Sequence, residues 1–148
     1  MKTKVLVLAL VCALLAVASS FAAGGQPKVI AKALAVGKMQ ATTIHATSGA
    51  MILERYTIKP GGSFGWHVHG APVAVVVTGG TLTVFDPSVG ACAPFKVSKG
   101  QSFVEPANHV HLARNDGTTT VTLYALYLGV SKPSRANIAA AEPAGCHA

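Results

Sequence analysis

The sequence predicts an all-β fold, a sandwich or barrel of short strands. Strand-type runs recur roughly every eight to twelve residues, and Gly, Pro, Asn and Asp clusters punctuate them. Beyond the N-terminal leader no segment carries a convincing helical period, apart from Val29–Met39 and a short piece near Ile138.

Taken in order, residues 1–23 read as a secretory signal peptide. Lys2 and Lys4 precede an apolar run from Val5 to Val17, and small residues follow, with cleavage expected after Ala22 or Ala23. The run is shorter than the roughly 20 residues a membrane-spanning helix needs, so a secreted or periplasmic protein without a membrane span after cleavage is expected. A retained N-terminal anchor is the alternative. Residues 24–49 form an N-terminal segment or strand leading into a barrel at 50–130, and residues 131–148 form a tail. The leader takes two lysines with it, so the formal charge of +7 falls to +5. The remaining cations are scattered, which gives no nucleic-acid surface.

Within the barrel, Met51–Lys59 is rich in β-branched and aromatic residues, and Pro60-Gly61-Gly62 ends it. Val73–Val77 is a short continuous apolar run, the mark of a buried strand. Thr81–Phe85 alternates Thr with apolar residues; Phe95–Val97, Ser102–Glu105 and His109–Ala113 are further short strands. Asn115-Asp116-Gly117 is the strongest hairpin signal in the chain and leads into the longest β-type run, Thr119–Val130. Cys92 and Cys146 are the two cysteines left outside the leader, and in an oxidising compartment they are expected to pair and tether the tail. Closing that loop of some fifty residues is worth about 4 kcal/mol on the chain-entropy model. A metal site using these cysteines with His147 is the competing reading.

His67 and His69 lie two apart on an extended segment, so both rings leave the same face while Trp66 and Val68 point away. On a later strand His111 can face the same interior, bringing three imidazoles to one point. Such a His-x-His pair alone is more often an ordinary strand feature; the third histidine turns the balance toward a metal site. His109 is a weak catalytic candidate, as a pocket acid or base, but can equally be an exposed turn residue. Glu105 is expected to be a solvated strand end, Asn115 a turn residue, Tyr56 and Tyr124 core residues, and His45 and His147 surface residues.

At these residues the chain resembles the cupins. The first cupin motif runs Gly, five residues, His-x-His, three or four residues, Glu, six residues, Gly. Gly61, His67, His69 and Gly80 match it, but Val73 stands at the Glu position. The second runs Gly, five residues, Pro-x-Gly, two residues, His, three residues, Asn. Gly100, Pro106, His111 and Asn115 match it, with Asn108 in place of Gly, a mild change because Asn tolerates the left-handed backbone.

The resemblance implies a double-stranded β-helix, or jelly-roll barrel, and assigns His67, His69 and His111 as ligands of a divalent transition metal: Fe(II), Zn, Ni or Cu. With no carboxylate at position 73 the ion's charge would stay uncompensated and would attract an anionic or chelating small molecule. An exported dioxygenase-type enzyme is one reading. The other is a non-catalytic, sugar-like binding or structural cupin without metal. Homodimers are common among single-domain cupins, so a homodimer is expected by resemblance.

Overall fold

The computed structural model describes residues 31–132 and 136–148, and residues 33–148 form one compact unit. The predicted leader lies outside the described residues. Nine strands run in chain order: β1 Ala50–Ile58, β2 Ser63–Val68, β3 Val73–Gly79, β4 Thr81–Phe85, β5 Phe95–Ser98, β6 Ser102–Glu105, β7 His111–Arg114, β8 Val121–Val130 and β9 Ile138–Ala139. They build two antiparallel sheets, ordered β1-β8-β3-β6 and β5-β4-β7-β2-β9. Consecutive strands therefore step from one sheet to the other, apart from β4 and β5, and this is the expected jelly-roll arrangement.

Period-two burial places the core between the sheets. Val73, Val75 and Val77 of β3 and Val121, Leu123, Ala125 and Tyr127 of β8 point inward. They meet Leu82, Val84, Val97 and Ala113 of the opposite sheet. A second, smaller cluster joins Trp66, Phe85 and Leu112 to Cys92 and Cys146. Trp66 thus points away from the interior that takes His67, as the alternation requires.

Asn115-Asp116-Gly117 does not make a hairpin. The strands on either side, β7 and β8, belong to different sheets, and the turn is a corner between them. The cause is the side chain of Asn115, buried at 1% exposure. Its Nδ2 donates to the carbonyls of Ile58 (2.9 Å) and Thr119 (2.8 Å), and its Oδ1 accepts from Gly117 N (3.0 Å). Backbone bonds to Gly61 and Gly62 complete the pin. Asn115 is a turn residue, as expected, and it ties β1 to the corner. Gly80 makes the matching corner between β3 and β4, where φ is +71° and a Cβ would lie 2.8 Å from the Thr120 carbonyl oxygen.

The segment preceding β1 is extended, not helical, where residues 31–39 are described: Lys38 bridges to Gln101. Cys92 and Cys146 form the expected disulfide, with Cα atoms 5.4 Å apart. The tail it holds is not wholly irregular. Ile138 and Ala139, near one of the two short helical candidates, form β9 and pair with Val68 and His67 of β2.

Candidate metal centre

His67 ends the inward row of β2, His69 follows just past the strand, and His111 opens β7 directly opposite His67 in the ladder. All three are buried, at 5%, 2% and 2% exposure. Ring centroids lie 4.3 to 5.0 Å apart, and one nitrogen from each ring falls within 4.8 Å of the others.

The other nitrogen of each ring has a backbone partner. Nδ1 lies 2.9 Å from the Gly65 carbonyl in His67, 2.6 Å from that of Ala136 in His69, and 3.0 Å from that of His109 in His111. A carbonyl can only accept, so each Nδ1 carries a proton and each Nε2 is the nitrogen turned toward the other rings. Metal-binding histidines are usually oriented in this way, with the far nitrogen donating to a carbonyl.

The carboxylate missing from position 73 stands across the ladder. Val73 on β3 pairs directly with Glu105 on β6, so the two side chains share the inner face. Glu105 is not a solvated strand end. It is buried at 9%, with its oxygens 3.1 Å from His69 Nε2 and 3.2 Å from His111 Nε2. Burial alone would raise its pKa, but the two histidines outweigh burial and hold it down at about 2. For His111 burial acts to lower the pKa, and Glu105 overrides it and raises it. His67, more distant from the carboxylate, is pushed down by burial to about 4. A divalent ion bound here would be held by three imidazoles and one carboxylate, which would offset half of its charge.

His67, His69 and Glu105 line a cavity with about 20 Å³ open to a water-sized guest. Phe64, Val75, Leu82, Leu123 and Ala125 make its walls apolar, while Tyr56, Tyr127 and Asn137 add polar groups. Tyr56 donates to Glu54, so in the 2.9 Å contact between the phenols Tyr127 donates to Tyr56. Burial raises the pKa of both phenols, which keeps them protonated at neutral pH.

His109 contributes its carbonyl and not its imidazole: the side chain is exposed and lines a separate surface groove with Asp86, Val110 and Pro143. Asn108 adopts φ +61°, the left-handed backbone expected of it, and its N–H donates to the His69 carbonyl at 2.7 Å. Tyr124 stays half-buried outside the cavity, and His45 and His147 are exposed. The sequence reading passed over Tyr127 and Asn137. Tyr127 lies in the inward row of β8 and was legible from period two; Asn137 arrives only through the fold of the tail.

The cupin domain family matches residues 54–127. This chain is a cupin. Among solved structures the cupin barrel is similar to an uncharacterized double-stranded β-helix protein from Klebsiella pneumoniae, with TM-score 0.51, 16% identity, and 67% of this chain and 81% of that one covered. It is also similar to the polyketide cyclase RemF from Streptomyces resistomycificus, with TM-score 0.53 and 16% identity over 66% of each chain. A structure of DMSP lyases aligns with TM-score 0.53 and 19% identity over 62% of this chain and 44% of that one. No protein of curated function matches the cupin in sequence. Among the described residues no helix is long and apolar enough to cross a membrane.

Proposed function

We propose that this cupin is an exported protein that binds a divalent transition metal through His67, His69 and His111, with Glu105 as the fourth donor. Its role is to activate a small anionic or chelating substrate. The observation that carries this reading is the shared orientation: each Nδ1 donates to a backbone carbonyl, so three Nε2 atoms converge beside one buried carboxylate. Imidazole with a single carboxylate suits Fe(II), Zn, Ni or Cu. Such an ion supplies Lewis acidity and open coordination positions, which is what an oxygenase-type reaction on a chelating acid or enolate requires.

The chain's own residues hold and orient. Backbone carbonyls fix the three rings, Glu105 keeps negative charge beside them, and the apolar walls exclude bulk water. Tyr127 donates to Tyr56 and Tyr56 to Glu54, a chain of protonated hydroxyls that closes one side of the cavity. Space of about 20 Å³ favours a very small guest over a sugar. The Cys92–Cys146 bond supports an oxidising destination. Homodimerisation, expected by family resemblance, would use the exposed Met51 and Leu53 of edge strand β1, and light scattering on an M51K/L53K variant tests it.

The test of the metal reading is elemental analysis of protein purified without a histidine tag, then oxygen-uptake screening against chelating acids, thiols and diols. H67A, H69A and H111A should each lose stoichiometric metal while remaining folded. A triple variant that keeps full metal content would end the proposal.

A further inference from the structure

The three imidazoles are not held alike. His67 and His111 donate Nδ1–H to carbonyls two residues upstream, whereas His69 donates to Ala136, 67 residues away in the tail. The same tail places Ala139 opposite His67 and Ile138 opposite Val68, and Ala140 N donates to the Trp66 carbonyl at 2.9 Å. Asn137 sits at the cavity, its Nδ2 3.4 Å from the Tyr56 hydroxyl.

Ala136 is buried in the main core, but beyond it the strap has few anchors besides the disulfide among the described residues. β9 has two residues, both exposed, and backbone hydrogen bonds are worth about 1 kcal/mol each. Ordering each residue costs about 1–2 kcal/mol. Cys146 is anchored through Cys92 in the cluster with Trp66, Phe85 and Leu112. Gly90, Ala91 and Cys92 all have positive φ, at 49°, 55° and 65°, so the closed bond also holds two side-chain-bearing residues in left-handed backbone.

We infer that the C-terminal segment Ala136–Cys146 is a working part of the site, in which the Ala136 carbonyl positions His69 and the Cys92–Cys146 disulfide is the clasp that keeps it there. Opening the clasp frees the tail, removes the acceptor from His69 and lets its proton move to Nε2, where it blocks ligation. A dithiol does this by passing two electrons and two protons to the cysteine sulfurs: the S–S bond breaks, two thiols form, and the reductant closes to its own disulfide. The site's metal affinity then depends on redox state, a consequence that rests on the metal reading above.

The experiment has two readouts on the full chain without its leader. Long-range 15N–1H spectra of the imidazoles report tautomers in metal-free protein, and zinc affinity is measured by competition with a chromophoric chelator. The oxidised protein should show Nδ1–H in all three rings. Reduction, or C92S/C146S, should give His69 mixed tautomers, leave His67 and His111 unchanged, and weaken zinc binding about 10–100-fold. A140P, which removes the donor to the Trp66 carbonyl and so loosens β9 with the disulfide intact, should do the same and covers the case in which the cysteine variant fails to fold. Retention of Nδ1–H by His69 in A140P, or in folded C92S/C146S, overturns the inference. Should the oxidised protein bind no zinc, the metal reading falls, and the tautomer spectra still decide the strap.

Discussion

Because Val73 and Glu105 oppose each other on the inner face of the β3–β6 ladder, the carboxylate should be exchangeable between them. Directly opposed residues have Cβ atoms about 4.5–5.5 Å apart, a distance that a glutamate side chain spans. In E105V the site keeps three nitrogens and loses its only anion. Losing a conserved-type partner of a metal site costs 10–100-fold in affinity, and a charged donor belongs at the upper end, so about 100-fold or 2.7 kcal/mol is expected. Folding of the metal-free protein should weaken as well, because the change removes one partner of a buried carboxylate–imidazole cluster. V73E/E105V returns the carboxylate from the other strand and should restore affinity to within about tenfold of the parent. V73E alone places two carboxylates in one apolar pocket, so it should lower stability and raise one carboxyl pKa. Zinc competition at fixed pH, beside urea unfolding of each metal-free variant, separates binding from folding. The reasoning is refuted if E105V holds zinc as tightly as the parent, or if folded V73E/E105V binds no better than E105V.

Other outcomes follow from the same contacts. N115A removes three side-chain hydrogen bonds from a buried corner and should cost about 2–4 kcal/mol in urea unfolding, with zinc affinity falling only as the fold fails. G129A should be worse than an ordinary glycine substitution, since φ is +94° and the new Cβ would lie 2.2 Å from the Thr47 carbonyl oxygen; a thermal scan should show a drop of several degrees. In metal-free protein, His67 has a folded pKa of about 4, below its ordinary 6.5, so the unfolded chain takes up the proton first as pH falls. Its contribution is complete above about pH 6.5 and is lost toward pH 4, of the order of 2 kcal/mol once solvent screening is allowed for. Glu105, with its pKa depressed, adds a second loss from about pH 4.5 down toward 2. His111, shifted the opposite way, contributes fully below about pH 6.5 and loses that contribution as pH rises through its folded pKa. Chemical denaturation across this range should therefore show the acid-side fall, and H67Q should flatten its upper part.

Strand identity was legible because short β-type runs are set off by Gly, Pro, Asn and Asp: β4 and β6 fall where those runs put them, and β1, β3 and β8 within two residues. His67 and His69 were legible because an extended chain sends alternate side chains to one face. What stayed hidden depended on register between distant strands. Nothing in one dimension says that Glu105 faces Val73, so the carboxylate looked lost when it had crossed one rung. Asn115-Asp116-Gly117 has the local chemistry of a hairpin, but the bonds that decide its shape run to Ile58 and Thr119. The two-residue β9 carries no periodicity of its own, and its place beside β2 comes from partners about seventy residues upstream.

The alternation of consecutive strands between the two sheets also bears on how the molecule is made. Only β4 and β5 can zip up locally; every other ladder must wait for chain segments far apart to meet, which predicts refolding on the millisecond-to-second scale typical of non-local β topologies. His69, near the middle of the chain, and Ala136, near its end, can meet only after most of the polypeptide has condensed. The complete site would therefore exist for an ion only at the last stage of maturation.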